Sequence, residues 1–162
     1  MKYTIAIVAL ALVLLIPVSS TEAQGLLTQK DIAAAKEMVE RKRNFVVIAN
    51  LDLTEEEGKK FWPLYDEYRI KIREVRMRRL ELIQNYAERF NADTVDEKFA
   101  DDAILEFLDI QSDTVKVRKR YWKKFRRIIP ASKAARFYQL ENKMDSEIDY
   151  VMAGGTPLIE SK

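Results

Sequence analysis

The chain has 162 residues, 48% hydrophobic and 33% charged, with four Gly and four Pro, a profile that suits a helical domain and excludes a low-complexity or collagen-like chain. It has no histidine and no cysteine, which removes the commonest general base, the thiolate nucleophile, any disulfide framework and the best transition-metal ligands. A net charge of +2 predicts no polyanion partner by itself, so the placement of the charges carries more information.

Residues 1–23 stand apart. Lys2 precedes an uninterrupted apolar core from Ile5 to Ile16, and Thr21-Glu22-Ala23 offers small residues for cleavage before Gln24. That is the pattern of a signal peptide, and the apolar run is short for a membrane span. Export to the periplasm follows as the expectation, with retention as an uncleaved anchor as the alternative; it argues against nucleic acid as a partner. Residues 24–162 then form one domain by size.

Asp31 can cap a first helix running to about Ala49, with Ile32, Ala35, Val39 and Val46 as its apolar stripe. Its end, Phe45-Val46-Val47-Ile48, is apolar nearly all round and calls for cover from the rest of the chain or from a second subunit. Asn50 to Leu53 connects it to a helical hairpin over residues 54–129. Thr54-x-x-Glu57 reads as a capping box, with Glu55 and Glu56 favoured by the helix dipole. Phe61, Tyr65, Tyr68, Ile72, Val75, Ile83, Tyr86 and Phe90 follow at helical spacing. Pro63 predicts a kink or a restart. Asn91 to Thr94 breaks the pattern, with Asp93 or Thr94 as the next N-cap. Ile104, Phe107, Gln111, Thr114, Val117, Tyr121, Phe125 and Ile128 form the second seam.

A short connection makes the two helices antiparallel neighbours. Folding about residue 93 or 94 sets Ile83 opposite Ile104, Ile72 opposite Val115, Tyr65 opposite Trp122, and Phe61 near Phe125. Pro130 suits the first turn of a fourth helix, 130–153, presenting Phe137, Leu140, Met144, Ile148 and Val151, with Gly154-Gly155 as its stop and 154–162 as a tail. The fold class is all-α: a long antiparallel hairpin flanked by N- and C-terminal helices, four in all.

Arg69, Arg73 and Arg76 share one face of the hairpin's first helix, flanking its seam. Lys116, Arg120, Lys123 and Arg127 share a face of the second, turned away from its seam. Eight of the twelve residues from Lys116 to Arg127 are basic, whereas Asp93, Asp96, Glu97, Asp101, Asp102, Glu106 and Asp109 collect around the turn. In the plainest reading these are solvated faces whose stems cover apolar surface, partly met by Glu141 and Asp145 on the fourth helix. In the functional reading they contact unfolded or acidic polypeptide, with Trp62 and Trp122 adding apolar grip. Docking on anionic lipid is a third. Arg79 occupies a seam position and needs a partner, for which Asp109 or Glu106 could serve, or a route to solvent. The acidic pairs lack EF-hand spacing, the four methionines Met38, Met77, Met144 and Met152 read as core filler, and no nucleophile-elbow pattern occurs. No enzyme, cofactor or metal is expected.

The signal peptide, Leu53-Thr54-x-x-Glu57 and the long hairpin together resemble the Spy/CpxP-like family of periplasmic proteins, whose signature is Leu-Thr-x-x-Gln, found twice. Leu51 to Glu57, the run Phe61-Trp62-Pro63-Leu64-Tyr65-x-x-Tyr68 and the segment Pro130 to Glu141 also resemble a branch of exported proteins, some labelled sensors linked to extracytoplasmic sigma factors. The likeness covers roughly residues 45–153. Glu57 stands where the family has Gln, and Ile129-Pro130-x-x-Lys133 replaces the second motif. The resemblance implies a cradle-shaped four-helix homodimer that binds unfolded clients without ATP through a basic concave surface. Some relatives instead act in envelope stress signalling, which gives the alternative of an adaptor docking a membrane sensor, and others bind metals.

Overall fold

The computed structural model describes residues 41–159, less the side chain of Val151; the expected signal peptide and the expected start of the first helix lie outside the described residues. Residues Arg43–Lys162 cluster as one compact unit. The described residues form an all-α fold of four helices. Residues 41–51 are the described part of α1, followed by α2 (Glu55–Asn91), α3 (Glu97–Ile128) and α4 (Ala131–Gly155). None of the described helices is long and apolar enough to cross a membrane.

Local chemistry sets the boundaries. Asp52 lies in the left-handed region (φ 48), which short polar side chains tolerate best after glycine, and this turns the chain out of α1. The capping box forms as expected: Thr54 Oγ1 accepts from the Glu57 N–H at 3.3 Å, and the Glu57 carboxylate accepts from the Thr54 N–H at 2.8 Å. Lys133 of α4 donates to the same carboxylate at 2.6 Å. That contact, with the Thr54 N–H, holds the Glu57 carboxyl below its ordinary range. Thr54→Ala is expected to lower stability by about 0.5–2 kcal/mol, measured by urea denaturation.

Helix α2 runs through Pro63 as a single element instead of restarting. Pro63 is exposed, so water can reach the carbonyl left without its helical donor. The hairpin turn also differs in detail from expectation. Asp93 takes a left-handed conformation (φ 53), and the Thr94 N–H bonds to the Arg89 carbonyl at 2.9 Å, closing α2. The cap of α3 is therefore Asp96, whose carboxylate accepts from the Phe99 N–H at 2.7 Å. Helix α4 includes both glycines and ends at Gly155, two residues beyond the expected end, with Thr156 as its C-cap.

The core is an aromatic cluster at the open end of the hairpin. Phe61 packs against Phe125 at 5.2 Å and Phe137 at 5.4 Å between ring centroids, and Phe125 lies 4.8 Å from Phe137. Tyr68 meets Tyr121 at 5.5 Å. Val47 and Leu51 of α1, Ile72 of α2 and Ala134 of α4 complete the cluster. The expected Phe61–Phe125 pairing is thus present, and with it the fold about residue 93 or 94. Tyr65 and Trp122, expected to face each other, turn elsewhere: Tyr65 toward Phe61, Trp62 and Phe137, and Trp122 toward Tyr138.

The seam of α3 differs more. Ile104 and Gln111, expected in the seam, are exposed, as is Val115, expected opposite Ile72, while Ile110 is the buried residue. A series stepped at 3.5 residues drifts by roughly 20° per heptad on a straight α-helix. Extended from Tyr121 back to Ile104, such a series leaves the buried face.

Candidate functional site

The two basic stripes have opposite fates. Arg69 is buried, donating to Asn44 Oδ1 at 3.0 Å and to the Tyr65 hydroxyl at 2.7 Å. Burial pushes its guanidinium down to about 10. Arg76 points between α2 and α4, donating to Glu141 Oε2 at 3.2 Å and Asp145 Oδ1 at 2.7 Å. Arg73 is exposed. The three arginines of α2 therefore do not form one outward face: Arg69 is engaged by Asn44 of α1, and Arg76 by Glu141 and Asp145 of α4.

Arg76 belongs to a charge network that ties all four helices together. Arg43 of α1 reaches both Glu141, at 3.4 Å, and Asp145. Arg118 of α3 pairs with the other oxygen of Asp145. The Tyr68 hydroxyl donates to Glu141 Oε2 at 3.3 Å. Burial opposes ionisation of Asp145, but Arg76 and Arg43 outweigh it and hold the carboxyl below its ordinary value. Burial likewise opposes the charge on Arg76 and Arg118, and the carboxylates, Asp145 foremost, reverse the balance and raise both. Burial, then Glu141, pushes the Tyr65 and Tyr68 phenols well up. Glu141 and Asp145 thus meet part of the arginine charge, as the plainest sequence reading held. Arg43 and Arg118 escaped that reading: a single arginine on a charged helix carries no mark of facing inward.

Arg79 pairs with Asp149 of α4 and stands over the Phe107 ring at 5.8 Å. Its expected partner Glu106 is taken by Arg78 at 2.8 Å, which also holds Asp113 at 2.7 Å. The hairpin is therefore cross-strapped by Arg78, and α4 is strapped to it by Arg79.

The α3 stripe faces outward. Lys116, Arg120, Lys123 and Arg127 are all exposed. Lys116 makes only a local pair with Asp113 at 2.9 Å, and Arg120, Lys123 and Arg127 make no ion pair among the described residues. Lys119, not singled out by the pattern, is exposed beside them. Surface pairs of this kind contribute about 0–1 kcal/mol, so these cations stay available.

No family model, curated protein or solved structure matches the chain in the comparisons made. The site therefore rests on its own chemistry.

Along one edge of the basic stripe runs an open groove of about 400 Å³ between α3 and α4, lined by Val115, Arg118, Lys119, Trp122, Ala135 and Tyr138, with Gln139 at its end. Trp122 and Tyr138 meet edge to face at 6.3 Å, and the Arg126 guanidinium lies over the indole at 5.9 Å. Exposed Ile104, Leu105 and Leu108 extend the apolar surface toward the turn. Trp62 sits apart, half-buried against Phe61 and Tyr65, lining a second groove with Val47, Leu51 and Gly58. The structure thus brings Trp122 to the basic face and leaves Trp62 on another side of the core.

Proposed function

We propose that this is an exported, chaperone-like polypeptide-binding protein without enzymatic activity, and that its binding face is the outer side of α3. The supporting observation is the run Lys116, Arg120, Lys123 and Arg127, exposed and largely uncompensated, bordering the apolar groove of Trp122 and Tyr138. Flexible cationic side chains beside apolar surface accept many geometries at low energy, which suits unfolded segments carrying carboxylates. The signal-peptide pattern and the resemblance to the Spy/CpxP-like family point the same way. Arg69 and Arg76 act in this reading as structural residues, and Trp62 as core.

The test is suppression of aggregation of several unrelated denatured proteins. The parent chain is expected to protect several of them, less well as salt screens the stripe. Reversing Lys116, Arg120, Lys123 and Arg127 to Glu is expected to remove most of the protection while helix content by circular dichroism is kept. Reversing Lys59 and Lys60, exposed on α2, is expected to leave protection in place. Full protection by the α3 variant would refute the assignment. Failure with every client, with tight binding to a single envelope partner, would favour the signalling adaptor.

A further inference from the structure

Helix α3 carries a second seam that the fold leaves uncovered. Its inner seam, with Ile110, Tyr121 and Phe125, is buried. About a quarter of a turn round the helix, Ile104, Leu108, Gln111, Val115, Arg118 and Trp122 follow one another at steps of 4, 3, 4, 3 and 4. That is the alternation of a helix-packing seam, yet Ile104, Leu108 and Val115 are 55%, 52% and 46% exposed. Arg118 is drawn aside by Asp145, which leaves a hole in the seam. The α3 wall of the groove between α3 and α4 is Val115, Arg118, Lys119 and Trp122, spaced i, i+3, i+4 and i+7. Four residues so placed make the hole that receives one knob side chain of a facing helix. Ala135 and Tyr138 of α4 close its far side.

Spacing selects the shape of the occupant. Seam residues of a helix rise about 5.4 Å per step, whereas same-face residues of an extended chain rise about 6.8 Å. The ridge from Ile104 to Trp122 is roughly 27 Å long. It matches a helix over its whole length, and an extended chain slips out of register along it. Charge selects the composition. From Thr114 to Arg127 α3 has no acidic residue, and exposed Lys119 and Arg126 flank the ridge one heptad apart. In helix pairs such flanking positions meet opposite charges on the partner. We propose that the ridge takes an amphipathic helix of a partner polypeptide, with its apolar stripe on the ridge, one large apolar side chain in the hole and acidic residues facing Lys119 and Arg126. The inference rests on α3 being the binding face, and it narrows what binds there from any unfolded segment to one that becomes helical on contact.

The probe is a labelled synthetic peptide, long enough to span the ridge, with leucines at alternating steps of 4 and 3 and glutamates beside them. A second peptide of the same composition alternates leucine with glutamate, so its apolar face forms only in an extended chain. By fluorescence anisotropy the full chain is expected to bind the first at least about tenfold more tightly, which burial of a single apolar side chain supplies. The bound peptide is expected to gain helix by circular dichroism. Leu108→Asp/Val115→Asp, at half-exposed positions, is expected to lose that binding with its own helix content unchanged. Lys119→Glu/Arg126→Glu is expected to lose it too, and to recover it when lysines replace the peptide's glutamates. Lys59→Glu/Lys60→Glu is expected to bind as the parent does. Equal affinity for the two peptides, or full binding by the Leu108→Asp/Val115→Asp variant, would overturn the helical occupant. If that equal affinity vanishes on reversing Lys116, Arg120, Lys123 and Arg127, the basic-face reading stands without it. Binding of neither peptide, with denatured clients still protected, has the same meaning. A parent chain that self-associates in sedimentation velocity, with the Leu108→Asp/Val115→Asp variant monomeric and no peptide bound, would give the ridge to a second copy and also overturn the inference.

Discussion

Phe61→Ala is expected to lower the unfolding free energy by about 3–5 kcal/mol, the range for truncating a buried aromatic. Phe61 is fully buried and its ring meets those of Trp62, Tyr65, Phe125 and Phe137. These rings come from α2, α3 and α4, so the site cannot collapse onto the cavity without moving three helices. The loss is a large share of the roughly 5–15 kcal/mol that separates folded from unfolded domains. Urea denaturation should show a lower midpoint with an unchanged slope. A loss under about 1 kcal/mol would mean that the aromatic cluster does not anchor the open end.

Asp145→Asn is the second large effect, about 3–5 kcal/mol at neutral pH, as for breaking a buried ion pair by removing one partner. Arg43, Arg76 and Arg118 all converge on this carboxylate, and Glu141 alone would be left among three guanidinium groups. The same residue predicts an acid limb. Its folded pKa lies below the ordinary value of 3.8, so its stabilisation is fully present above that value. It is lost as pH falls through the lower, folded value. Parent and variant should therefore differ most at neutral pH and converge as pH drops below 3.8. Thermal denaturation across that range measures it. A gap that persists undiminished into strong acid would show that the loss comes from packing and not from charge.

Much of the fold was readable along the chain because its determinants are local or periodic. The Thr54–Glu57 capping box needs only four residues, and the 3–4 spacing from Phe61 to Tyr86 identifies a seam regardless of what covers it. The register of the hairpin followed from one short connection. Side-chain direction was less accessible. Tyr65 and Trp122 sit level, yet each turns to a ring on another helix, Phe137 or Tyr138. Arg69 and Arg76 flank the α2 seam, and it is α1, through Asn44, and α4, through Glu141 and Asp145, that decide whether a flank is covered. Ile104 shows the complementary failure: an apolar residue at nearly the right spacing that packing leaves outside. The α3 stripe was legible because it lies opposite a strong seam, where no neighbouring helix intrudes.

The division between inward arginines that hold the helices and outward cations proposed to meet a partner is tested most directly by lysine footprinting. The chain is labelled with an amine-reactive reagent, free and in complex with a denatured client. Lys116, Lys119 and Lys123 are expected to lose reactivity in the complex while Lys59 and Lys60 keep theirs. Unchanged reactivity on α3, or protection confined to Lys59 and Lys60, would contradict it.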